Sequence, residues 1–288
     1  WALWYAGTAR AKLAFAAVFG AVLVWWLLIP PSHDRIWREE VAVMPRATID
    51  GDNVRIEGVR NFEFRSRDDF TVDFVTREVQ LSHLTGVDLF VSFWMQGPVG
   101  HTWVSFTFDN APPVSISIET RPEQGEGFNP LASLFKQFEL IYVVGEERDL
   151  VGLRASHRNE QVFLFHVNAT PEATRRLFLI YLERINQLHD RPEWYHLLSN
   201  SCTINIVRYM NRVGREGGLE LNHFLNGLFD GYLYHAGFLD TRLTLEELRQ
   251  RSRITEKAKA AADAVDFPQR IRQGLPDPRR AQEPEPEP

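Results

Sequence analysis

The stretch that most constrains the fold runs from Gly100 to Glu119, GHTWVSFTFDNAPPVSISIE. Apolar and polar residues alternate on both sides of Asp109-Asn110-Ala111-Pro112-Pro113, a strand period broken by turn formers, which predicts a β-hairpin. One face carries Val104, Phe106, Phe108, Val114, Ile116 and Ile118. The other carries His101, Ser105, Thr107, Ser115, Ser117 and Glu119. An apolar hairpin face must be covered, so the chain needs further strands and helices to pack on it. Antiparallel pairing puts Glu119 opposite or diagonal to His101, within side-chain reach. A histidine backed by a carboxylate is an oriented base; a surface hairpin with a solvated polar face has the same pattern.

The second informative stretch is WYHLLSNSCTINIVRYMNRV, residues 194–213, which holds Cys202, the only cysteine in the chain. Ser199, Asn200 and Ser201 are N-cap types, Ile206, Val207, Met210 and Val213 recur at helical spacing, and Gly214 supplies a stop. Cys202 is therefore expected in the first turn of a helix. Unpaired backbone N–H groups and the positive end of the helix dipole favour a thiolate there. A small buried hydrophobe is the other role open to such a cysteine.

These residues also carry a resemblance. A strand histidine followed later by a cysteine at a helix N-terminus resembles the circularly permuted branch of the papain-like NlpC superfamily. More closely, NFEFRS (61–66), VDLF (87–90), HTWVSF (101–106), SIETRPEQGE (117–126), ELIYVVGEERD (139–149) and NSCTINI (200–206) resemble the Lnb-type N-terminal periplasmic domain, collinearly from about Pro30 to Leu275. The resemblance implies an α+β, circularly permuted papain-like fold, and the strand patterns and the apolar run from Leu13 to Ile29 add a mostly antiparallel sheet packed with helices and one preceding transmembrane helix. Related domains belong to lipoprotein N-acyltransferases that work through an acyl-cysteine. By that likeness Cys202 is the nucleophile, His101 the base and Glu119 the orienter. The motif that usually reads Asn-Asn-Cys-Thr-Thr is Asn200-Ser201-Cys202-Thr203-Ile204 here.

Upstream of the domain, Leu13 to Ile29 is an uncharged apolar run at the short end of what spans a bilayer. Trp25 and Trp26 suit an interface, Lys12 can snorkel, and Pro30-Pro31 ends the helix. No small-x-small cleavage site follows, which favours an uncleaved anchor over a signal peptide. Arg10 and Lys12 favour an inside N-terminus, so the expected location is the bacterial inner membrane, single-pass or more, with the main domain periplasmic. Residues 1–12 are expected to be an upstream segment and 30–46 a polar linker. The domain then spans 47–275, and a disordered tail 276–288. Alternating stretches predict strands at 47–57, 60–65, 71–76, 87–95, 139–144 and 161–167. Arg121 to Pro130 is expected as a loop able to overhang the site, Leu131 to Phe138 as a short helix, and Glu146 to Asp149 as a solvated turn. Thr170 and Pro171 open the clearest helix, with Leu177, Phe178, Tyr181, Ile185 and Leu188 on one face. Further helices are expected at 221–237, 244–252 and 255–265.

With 44% hydrophobic residues, including 20 Phe and 8 Trp, the chain can build a real core. A net charge of −6 and the lack of a basic face argue against nucleic acid. A single cysteine rules out an internal disulfide and a multi-cysteine metal site. HExxH, Gly-x-Ser-x-Gly and phosphate-loop motifs are missing, and neither metal nor cofactor is called for. His223, His235 and His166 read as packing residues; His189 and His196, which flank the approach to Cys202, are alternative bases. The expected function is a membrane-anchored cysteine acyltransferase moving a fatty acyl group from a membrane lipid to an amine, with a lipoprotein or a membrane protein complex as further partner. A cell-wall thiol amidase or peptidase, and a non-catalytic accessory subunit of a membrane complex, are the competing readings.

Overall fold

The alternation in the hairpin becomes β7 (His101–Phe108) and β8 (Val114–Arg121), antiparallel with Trp103 opposite Ser117 and Phe106 opposite Val114. This pair sits inside a sheet of β1 (Arg46–Asp50), β2 (Asn53–Arg60), β5 (Phe74–Gln80), β6 (Leu84–Phe93), β9 (Glu139–Gly145) and β10 (Gln161–His166). The order is β1-β2-β9-β8-β7-β6-β10, with β5 also paired to β2. Only the β2–β9 pairing is parallel among these. Two short strands, β3 (Glu63–Phe64) and β4 (Phe70–Thr71), pair separately. The computed structural model describes residues 9–94, 100–213 and 228–279. It divides into two compact units, Trp1–Asp34 and Arg35–Pro288.

In the first unit, α1 (Ala9–Leu28) carries Arg10 and Lys12 in its first turn and is uncharged from Leu13 on, with no buried residue, long and apolar enough to cross a membrane. Residues 1–8, most of the expected upstream segment 1–12, lie outside the described residues.

In the second unit the sheet is covered on both faces. On one, α3 (Pro171–Asp190) and α4 (Cys202–Arg212) bury Val104, Phe106, Ile116 and Ile118. Thr170 caps α3 by accepting from the Ala173 N–H, and Phe178 on this helix lies 4.7 Å from the Phe106 ring. On the other face, α2 (Glu147–Gly152) and a π-helical turn (Leu153–His157) pack with the C-terminal helices α7 (Thr255–Ala260) and α8 (Phe267–Arg272) over Phe90, Trp103 and Leu164. Between α4 and these lie α5 (Phe229–His235) and α6 (Leu245–Ser252), the latter closed by a Thr244–Glu247 capping box.

Several local expectations give way to tertiary effects. Residues 47–57 are two strands, because Gly51, at φ +59°, reverses the chain after Asp50. Leu131 to Phe138 holds only a 3-10 turn at Ala132–Leu134, since Lys136 takes a left-handed φ of 55° and Phe138 O accepts from Tyr195 N. The stretch from Glu146 to Asp149 is not a solvated turn: Glu147 and Asp149 are buried within α2. Asp149 pairs with the buried Arg60 at 2.7 Å, and Glu147 with Arg272 at 2.5 Å. Much of the supposed linker is folded: Trp37 and Val41 are buried with Leu150, and Arg121 lies over the Trp37 ring at 4.2 Å. Instead of disorder from Pro276, Asp277 and Arg279 form an ion pair at 2.8 Å; residues 280–288 are outside the described region. Residues 221–227, including His223, are likewise outside it, and His235 is exposed rather than packed.

Candidate active site

Helix α4 begins at Cys202, with Ser201 in extended conformation (φ −105°, ψ 174°) as the N-cap residue. The thiol is 2% exposed and belongs to the apolar cluster with Phe106, Ile116, Ile118, Tyr181 and Tyr195. The next residue, Thr203, meets the Thr102 hydroxyl at 3.0 Å, and both threonines are buried. That bond ties the start of the helix to the start of β7. Asn205 donates to the Asn200 side-chain carbonyl at 2.9 Å, which braces the approach loop.

One position before Thr102, the pleat turns His101 to the opposite face. There it stands beside Trp103, with ring centroids 5.8 Å apart, and its Nε2 meets Ser117 Oγ at 2.7 Å. Ser117 in turn donates to Glu119 Oε1 at 2.7 Å, and the direct His101–Glu119 separation is 3.7 Å. A serine hydroxyl has one proton. Given to the carboxylate, it leaves Oγ to accept from Nε2–H, so the neutral imidazole keeps Nδ1 as its open acceptor.

The same carboxylate oxygen accepts from Arg154 at 2.8 Å. Arg154 leaves the sheet-facing side of the π-helical turn, its other nitrogen donating to Leu150 O at 2.9 Å and its guanidinium lying 4.6 Å from the Trp103 ring centre. Such π turns recur at functional sites, where they re-aim a side chain out of helical register. Burial, reinforced by the Arg154 charge and only partly opposed by Glu119, lowers the His101 pKa to about 3. Burial alone would raise the Glu119 carboxyl, but Arg154 first, with Arg60 and the Ser117 hydroxyl, holds it below the usual carboxylate range. The cluster therefore carries a neutral imidazole at one end of a chain that runs through Ser117 to a charged carboxylate held by Arg154. Two buried phenols, Tyr181 and Tyr195, lie within electrostatic reach of Cys202, and burial raises the pKa of both.

The structure thus joins His101 to Glu119 and sets Cys202 into the cluster packed on the other side of the sheet. The alternative histidines are engaged elsewhere: His196 holds Ser199 at 3.0 Å within its own turn, and His189 lies beside Arg46 and Asp190. His166 is buried against Asp88 at 2.6 Å. Among the described residues, no group of His, Cys, Asp and Glu is placed to hold a metal ion. Arg154 and the relay role of Ser117 escaped the sequence reading. The available signal for Arg154 was a lone cation inside the apolar run Leu150-Val151-Gly152-Leu153 and Ala155.

The sequence model of the Lnb N-terminal periplasmic domain matches residues 70–224, more than half of the chain, and takes in His101, Ser117, Glu119, Arg154 and Cys202. No curated protein and no solved structure matches the chain. Together with the membrane-length helix α1, the match describes a membrane-associated protein with a periplasmic domain. The chain belongs to the Lnb N-terminal periplasmic domain family.

Proposed function

We propose that the domain is a cysteine acyltransferase of permuted papain-like type, held at the periplasmic side of the bacterial inner membrane by α1. In this reading Cys202 attacks an ester carbonyl of a membrane lipid and His101 takes the proton, a step that requires the start of α4 to shift so that the thiol, which rests on the opposite face of the sheet, reaches the imidazole. Collapse of the tetrahedral adduct breaks the ester C–O bond, and His101 returns the proton to the departing alcohol. The acyl group then leaves the thioester for an amine, a lipoprotein N-terminus being the acceptor the family suggests, and the thiol is regenerated. Backbone N–H groups at the start of α4 are the natural oxyanion donors. The observation that carries the reading is Cys202 at the first residue of α4, with the chain Arg154–Glu119–Ser117–His101 assembled on the opposite face of the same strands.

The test is a mass measurement. Solubilised with membrane lipid and deprived of amine acceptor, the protein is expected to gain a fatty acyl mass on Cys202 that hydroxylamine removes, while Cys202→Ala never loads and His101→Ala loads far more slowly. A non-catalytic accessory subunit is the second reading, favoured by the burial of Cys202 and by the capture of Glu119 by Arg154. It prevails if wild type stays unacylated with several phospholipids and Cys202→Ala still supports the cellular role.

A further inference from the structure

Large apolar side chains are exposed on neighbouring segments of the second unit. Leu131 and Phe135 are 72% and 64% exposed on the loop before β9, and Phe128 on the same loop meets Trp94 edge-on at 6.5 Å. This loop is tied to the approach to Cys202 by Leu197 N donating to Ser133 O at 3.2 Å, and the next residue, Leu198, is also exposed. On its other side Gln124 N donates to the carbonyl of Ile36, 71% exposed, at 2.8 Å. Single exposed apolar residues are ordinary on a protein surface; a group of aromatic and aliphatic side chains brought together by hydrogen-bonded loops marks an interaction surface.

We propose that this patch, Ile36, Trp94, Phe128, Leu131, Phe135 and Leu198, seats the domain on the surface of the lipid bilayer. Two observations choose lipid over a protein partner. First, the chain that enters the patch at Ile36 comes from α1, the membrane-length helix ending at Leu28, so the surface lies at the start of the unit's tether. Second, Lys136 stands 5.9 Å from the ring of Trp194 beside the patch, an aromatic and a basic side chain together as at membrane interfaces, while Arg35, at the same distance, is paired with Glu123 and Glu139. Seated this way, the loop carrying Leu198 would hold the start of the Cys202 helix at the lipid boundary. The proposal concerns placement of the domain and stands whether or not Cys202 is catalytic.

The experiment uses the full chain with Cys202→Ala, reconstituted into vesicles of phosphatidylcholine and phosphatidylglycerol. Nitroxide labels go on single cysteines from Phe128→Cys, Leu131→Cys, Phe135→Cys or Leu198→Cys, with Glu78→Cys and Val265→Cys as exposed controls. Labels on the patch are expected to be severalfold more accessible to oxygen than to a water-soluble nickel chelate, relative to the controls. Adding Phe135→Glu to the Leu131 label is expected to reverse that preference. Equal chelate access at patch and control positions overturns the proposal. So does spin–spin broadening at the patch that disappears on dilution with unlabelled chain, which would identify the occupant as a second copy.

Discussion

A buried neutral histidine makes the stability of this domain depend on pH in a window that can be calculated. His101 falls from an ordinary value of 6.5 to about 3 in the folded protein. Above the upper value neither state binds the proton and His101 contributes no pH dependence. As pH falls below it, the unfolded chain takes up a proton that the folded domain refuses, so stability drops until pH reaches the folded value. Each pH unit in that window costs about 1.4 kcal/mol. From pH 7 to pH 5 the loss attributable to His101 is therefore about 2 kcal/mol. Glu119 does not interfere. Its folded pKa is depressed from 4.5, so the stability it contributes is present above that value and is lost only at lower pH. Chemical denaturation of the full chain in detergent, followed by tryptophan fluorescence at pH 7 and pH 5, is compared with His101→Gln, which can still donate to Ser117 and does not titrate. The other histidines contribute to both proteins and cancel. The wild type is expected to lose about 2 kcal/mol more than the variant. Equal losses would refute the neutral, carboxylate-linked imidazole and with it the assignment of Nδ1 as an open acceptor.

Two further perturbations probe the same neighbourhood. Arg154→Met strips the cation from a partly buried carboxylate and is expected to cost about 3 kcal/mol at neutral pH, the low end for a buried pair because Glu119 is 21% exposed and His101 at 3.7 Å can take up a proton in compensation; imidazole NMR should show its titration moving upward, and an unmoved titration would remove Arg154 from the site. Thr203→Val orphans the buried Thr102 hydroxyl and is expected to cost about 1–3 kcal/mol, most of it recovered in the Thr102→Val/Thr203→Val double variant; a double variant no better than the single would mean the bond does not hold the helix to the strand.

Local patterns in the sequence determined the hairpin of His101 to Arg121 with its two faces, the long helix opened by Thr170 and Pro171, and the position of Cys202 at a helix start. Each is written in a handful of consecutive residues: strand alternation, a cap with a proline behind it, a polar triplet before an apolar helical stripe. Because β pairing has a period of two, the opposition of His101 and Glu119 was legible there as well.

The tertiary structure decided whatever depends on partners distant in the chain. Charged residues from Glu146 to Asp149 look solvated until Arg60 and Arg272 arrive from other segments to neutralise two of them. Arg154 has no motif; it becomes part of the site because a π turn aims it at Glu119 across the sheet face. Trp37 and Val41 read as linker until Arg121 and Leu150 supply a surface for them. The division between His101 on one side of the sheet and the Cys202 cluster on the other likewise comes from packing, since no local signal says which layer a helix will cover. Ion pairs, helix-to-sheet docking and burial are set by the surfaces that meet, and which surfaces meet is a property of the folded chain.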